Sequence, residues 1–217
     1  NTPYANYKDL PLVHTGCDSY ASWDPRFKDL SPVLETKAIV DEMQRLLPDG
    51  KFSRDKHLII TGGEPLLGWQ RSYPDVIDEI QNRGMGLTDI TFETNGSQHL
   101  TEEFHRYLTL FSRHVTITFS VSAKLPSSGE AWVDAIRPTV VRNYKLVPNS
   151  KVYFKFVVST EQDIADVKRG RGRQVEQGDR RTARSVGPNR RQPAAAQLRQ
   201  ARRERPRRAH RPHVLTA

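Results

Sequence analysis

From about residue 33 the apolar positions switch repeatedly between helical and extended spacing. Ile39, Val40, Met43, Leu46 and Leu47 share one helical face, and Pro48 and Gly50 close that segment. His57–Thr61 is a short β-rich run that ends in Gly62 and Gly63. Pro74 to about Arg83 predicts the next helix, with Val76, Ile77 and Ile80 aligned and Gly84 as its stop. Thr88–Glu93 reads as a strand, and Thr101–Phe111 as a helix with Phe104, Leu108 and Phe111 on one face. Val115–Val121 is a further strand, a helix near Thr139–Leu146 follows Pro138, and Val152–Val158 is the last strand. Asp163–Lys168 starts one more helix, and there the pattern stops.

Four strands separated by helices, at intervals of roughly 27 to 37 residues, predict right-handed βαβ units and a parallel sheet. The fold class is α/β, with fewer strands than a complete barrel or doubly wound sheet. Segment 1–32 has no clean period, and its Tyr, Trp, Asp and Pro content predicts an ordered loop lying over a site.

Composition divides the chain at residue 169. Hydrophobic residues make up 36% of the 217, few for a globular chain of that length, and the net charge is +9. Residues 169–217 carry fifteen Arg and no Lys against Glu176, Asp179 and Glu204, a net +12 that leaves −3 for residues 1–168. This tail has no Phe, Tyr, Trp or Ile, too little apolar surface to offset its ordering entropy, so it is expected to be disordered. Arg, Ala, Pro and Gly share GC-rich codons, so one origin is an out-of-frame reading. A genuine arginine-rich RNA-binding arm is the other, and nucleic acid is a partner only in that case. A solvated linker is the third reading.

Cys17 is the one cysteine, which excludes an internal disulfide framework and fits a reducing compartment. No apolar run approaches the roughly 18 residues of a membrane span, so the expectation is a soluble cytoplasmic protein. The chain opens on Asn-Thr-Pro-Tyr, without Met and without a charged-then-apolar leader, which predicts a truncated or processed start.

Candidate chemistry gathers where strands end. Thr61-Gly62-Gly63-Glu64-Pro65 follows the apolar run Leu58-Ile59-Ile60. Two glycines there let a ligand approach the backbone, and Glu64 offers an acceptor to a cationic group. Phe92-Glu93-Thr94-Asn95-Gly96 ends the next strand, and Ser120-Val121-Ser122-Ala123-Lys124 the one after. Each alone is more often a hydrogen-bonded turn. Three consecutive strand ends carrying polar beside small residues point to a ligand site.

In this order, these motifs resemble the radical S-adenosylmethionine superfamily, and in finer pattern the 7-carboxy-7-deazaguanine synthase family. Leu125-Pro126-Ser127-Ser128-Gly129-Glu130, after the Ser-x-Lys of Ser122 to Lys124, argues for that family over an activase sharing only Gly-Gly-Glu-Pro. The resemblance covers residues 1–168 and implies a partial radical S-adenosylmethionine β/α barrel, holding strands two to five. It implies a lyase converting 6-carboxy-5,6,7,8-tetrahydropterin, a small pterin, to 7-carboxy-7-deazaguanine with loss of ammonia, in queuosine and 7-deazapurine biosynthesis. A homodimer is implied as well.

The implied cofactors are a [4Fe–4S] cluster, S-adenosyl-L-methionine and Mg²⁺. Carried over by position, Asn1, Gly62, Gly63, Glu64, Glu93, Thr94, Asn95, Ser122, Ala123, Lys124 and Leu125 bind S-adenosylmethionine. Thr61 contacts substrate, and Thr2 ligates Mg²⁺ through its hydroxyl. The superfamily holds its cluster by CxxxCxxC, and this chain departs from it, because Cys17 stands alone. No catalytic residue is assigned. The expectation is a fragment whose third cluster cysteine preceded Asn1, inactive as it stands.

Overall fold

In the computed structural model, the described residues are 22, 24–30, 32–129, 135, 137–169 and 214–216. Contacts divide the chain into two units, residues 1–167 with 213–217, and residues 168–212. The second lies outside the described residues apart from Lys168 and Arg169.

Six strands and five helices are described: β1 (Val33–Glu35), α1 (Thr36–Leu46), β2 (Leu58–Ile60), α2 (Tyr73–Asn82), β3 (Asp89–Thr94) and α3 (Glu102–Phe111). They continue as β4 (Thr116–Ser122), α4 (Pro138–Lys145), β5 (Lys151–Lys155), α5 (residues 161–169) and β6 (Val214–Thr216). Strands β2, β3, β4 and β5 form one parallel sheet in chain order, as alternating periodicity demands. Among the described residues the sheet is open, with β2 and β5 as its edges.

The register sorts side chains into two unlike faces. Leu58 and Ile60 align with Ile90 and Phe92, then with Ile117 and Phe119, then with Val152. Those residues meet the apolar stripes of α2, α3 and α4. Tyr73, Phe92 and Phe104 lie 5.7–5.8 Å apart in a tilted cluster, and Phe119 stacks on Tyr144 at 4.6 Å. Burying such rings contributes a few kcal/mol each and fixes the helices on that face. The opposite face carries Ile59, Thr91, Glu93, Thr118, Ser120, Ser122, Lys151, Tyr153 and Lys155. A parallel sheet covered by helices on both faces is apolar on both. This one alternates.

Most element ends fall within a residue or two of the sequence reading, and three differences are larger or structural. The last strand ends at Lys155 instead of Val158, because its partner β4 ends at Ser122, which pairs with Lys155. The helix expected from Asp163 begins earlier and is described over 161–169, capped by a reciprocal pair: the Asp163 amide donates to Thr160 Oγ1 at 3.2 Å, and the Thr160 amide to Asp163 Oδ2 at 2.9 Å. The expectation of a tail without regular structure gives way at Val214–Thr216, which pairs antiparallel with Val33–Glu35. Val214-Leu215-Thr216 is the tail's one consecutive run of β-prone residues. Of the proposed loop at 1–32, only Ser22, Asp24 to Leu30 and Pro32 are described, including a 3₁₀ turn over Pro25–Leu30.

Candidate functional site

The site begins where β2 ends. Gly62 and Gly63 both adopt positive φ, 89° and 42°, turning the chain out of the sheet in a conformation costly to other residues. Thr61, Gly62 and Gly63 are exposed, and the Gly63 amide donates to Ser22 Oγ at 2.7 Å. The turn delivers Glu64, half-buried, towards the end of β3. There Thr94 Oγ1 donates to Glu64 Oε1 at 2.7 Å and the Asn95 amide to Oε2 at 2.7 Å. The Leu66 amide adds a third bond, to Oε1 at 3.1 Å.

Burial pushes the Glu64 carboxyl above the usual carboxylate range, and these three hydrogen bonds pull the other way. The Tyr73 phenol, buried beside it, is held protonated by desolvation and then by the Glu64 charge, and donates to the Pro65 carbonyl. Tyr144 is held protonated chiefly by burial and donates to the Gln98 carbonyl at 2.6 Å. Among the described residues, no cation pairs with Glu64.

A cavity of about 400 Å³ opens beside this turn. Thr61 to Glu64 and Ser22 form its polar part, while Ile39, Met43, Leu58, Ile60, Trp69 and Val76 line the apolar part. All three residues of β2, an edge strand among the described residues, line it.

The other expected positions fall at the same end of the sheet. Glu93 pairs with Lys155 at 2.7 Å. Asn95 turns its side chain away, its Oδ1 accepting from the Ser97 amide at 2.8 Å. Thr94 is buried, and its hydroxyl also accepts from the Gly96 amide at 3.0 Å. Ser122 and Lys124 are half-buried at or just after the end of β4, whereas Ala123 and Leu125 are buried. The structure thus joins Glu64 directly to Thr94 and Asn95, and places Ser122 to Leu125 at and just beyond the end of the next strand, without a hydrogen bond to Glu64. Asn1, Thr2 and Cys17 lie outside the described residues. Among the described residues, no group of three or more His, Cys, Asp or Glu could hold a metal ion, and no helix is long and apolar enough to cross a membrane.

Sequence reasoning missed the polar face of the sheet. Its signal was present: polar residues recur at every second position through Thr91 and Glu93, Thr116 to Ser122, and Lys151 to Lys155. Ser120 is its deepest member, fully buried and with no hydrogen-bond partner for Oγ.

The chain is similar to a 7-carboxy-7-deazaguanine synthase. That protein, from Pyrobaculum aerophilum, is 29% identical over 159 residues, which cover 73% of this chain. The match spans 59% of the relative's length, so this chain corresponds to about three-fifths of it. No protein-family model matches the chain, and no solved structure matches it.

Proposed function

We propose that these strand ends hold the methionine end of S-adenosylmethionine, in a chain of the 7-carboxy-7-deazaguanine synthase type. One observation carries the reading. Glu64 is a half-buried carboxylate with three hydrogen-bond donors and, among the described residues, no cation. Of about four acceptor positions on a carboxylate, Oε1 uses two and Oε2 one. The remaining position on Oε2 suits an ammonium group, whose charge offsets the cost of burial. The exposed backbone of Thr61 to Gly63 lies beside it, next to a cavity large enough for a small organic ligand.

On this reading Gly62, Gly63 and Glu64 orient the amino-acid part of the cofactor. Glu93 and the Ser122 to Leu125 stretch form its nucleoside side, with Thr94 and Asn95 holding Glu64 from the end of β3. Thr61 and the polar sheet face are turned towards a hydrogen-bonding substrate, the carboxylated tetrahydropterin. The four parallel strands are part of a β/α barrel with that polar face inward, and residues 1–168 are its core. Asn1 and Thr2 take the cofactor-contact and Mg²⁺-ligand roles. S-adenosylmethionine would supply hydrogen-abstracting chemistry only after one-electron reductive cleavage by a reduced iron–sulfur cluster; the described residues supply position and the exclusion of water. A [4Fe–4S] cluster needs three thiolates, and Cys17 is the single cysteine, so the residues present do not supply its ligands. The relative's name favours the synthase over an activase reading.

Isothermal titration of S-adenosylmethionine into the chain and into Glu64→Ala tests the proposal. Saturable binding, at least about ten-fold weaker in the variant, is expected from loss of one charge-assisted hydrogen bond. Equal affinities, with the variant still folded, would sink it.

A further inference from the structure

Thr94 stands among the positions expected to touch the cofactor, yet its side chain faces inward. It is 1% exposed, and its hydroxyl gives its proton to Glu64 Oε1 and a lone pair to the Gly96 amide, with the Tyr144 phenol also within its hydrogen-bond reach. A second copy of that reach comes from the next residue, whose amide holds Oε2 at 2.7 Å. The end of β3 therefore grips both oxygens of a carboxylate carried on the turn after β2, thirty residues earlier in the chain. The grip has a direction. Oε1 is saturated by Thr94 and Leu66, so the one acceptor position left lies on Oε2.

We propose that Thr94 is a positioning residue: it fixes the orientation and the ionised state of Glu64, so that Oε2 presents a single, pre-aimed acceptor to a ligand ammonium. This rests on the reading of Glu64 as the ammonium acceptor. The physical reason is the opposition already at work on that carboxyl. Burial favours the neutral acid, and the Thr94 hydroxyl is first among the groups that counter it, ahead of the Asn95 and Leu66 amides. The titratable groups coupled to Glu64 are Tyr73 of α2 and Tyr144 of α4, and burial keeps both protonated. Neither changes charge where a carboxyl titrates. Removing the hydroxyl leaves burial less opposed, so the acid form persists to higher pH and the acceptor is lost with it.

Thr94→Val and Thr94→Ser decide the point, with Thr94→Ala as the replacement should valine prevent folding, judged by near-ultraviolet circular dichroism. The Glu64 carboxyl is followed by ¹³C NMR through a pH titration, and S-adenosylmethionine affinity is measured across the same range. The expected result is an upward move of the Glu64 midpoint in the valine variant, with affinity at neutral pH about ten-fold weaker. The pH at which binding fails moves up by the same amount, and serine restores both. An unmoved midpoint in a folded variant lacking the hydroxyl overturns the proposal, as does weakened binding whose pH profile stays in place. If the unmodified chain binds no S-adenosylmethionine, the cofactor reading fails, while the midpoint still decides whether Thr94 controls the charge of Glu64.

Discussion

Glu93 of β3 and Lys155 of β5 form an ion pair of 2.7 Å across the polar face of the sheet, passing over β4, which lies between them. The register accounts for it, since Glu93 aligns with Ser120 and Lys155 with Ser122. Both side chains remain more than a third exposed, at 36% and 44%, so the pair is screened by solvent and contributes little to stability. Lys155→Ala should therefore shift the free energy of unfolding by less than about 1 kcal/mol. A carboxylated pterin that reaches this face would meet the same ammonium. Its affinity should fall about ten-fold in Lys155→Ala, read by fluorescence titration, for the loss of a charged hydrogen bond. A loss of stability without a loss of affinity would mark the pair as structural.

Gly96 and Gly62 both sit at positive φ, 78° and 89°, but their surroundings differ. A Cβ on Gly96 would lie 2.7 Å from Val121 Cγ1, whereas one on Gly62 meets nothing within 4 Å. Gly62→Ala should cost about 1 kcal/mol, for backbone strain alone. Gly96→Ala adds a steric conflict with a buried strand residue and should cost about 2–4 kcal/mol. Urea midpoints of the two variants give the comparison. Equal losses would mean that Val121 yields, and that Gly96 is held by its backbone conformation alone.

Asp163 ties the final helix to the turn that follows β4. Hydrogen bonds from the Ser127 hydroxyl, the Ser159 amide and the Thr160 cap hold its carboxyl down at about 2, below its ordinary 3.8. A carboxyl lowered by folding stabilises the native state above its unfolded value, and that contribution disappears as pH falls through the folded value. Thermal midpoints should therefore drop between about pH 4 and pH 2. Asp163→Asn should melt lower at neutral pH and show a flatter acid limb. A parallel acid limb in the two proteins would assign the loss to other carboxylates.

The alternation of periods in the sequence by itself determined the α/β class, the order of four strands, and the gathering of Thr61 to Pro65, Glu93 to Gly96 and Ser122 to Leu125 at one end of the sheet. Those are local properties: the spacing of apolar residues and the glycines that stop each strand. Element ends were less legible, because a strand such as β5 stops where its neighbour stops and not where its own residues cease to favour extension. The site's internal arrangement was also beyond local reading. Nothing near Glu64 in the chain indicates that Thr94 and Asn95 will hold its two oxygens, or that Glu93 will reach past a strand to Lys155. Those contacts depend on parallel register, which is fixed in tertiary packing, where Phe92 stacks on Phe119 and Phe119 on Tyr144 of α4. The polar face of the sheet lay between these cases. Its period of two stands in the sequence, but its meaning appears only when four strands align their polar positions on one side.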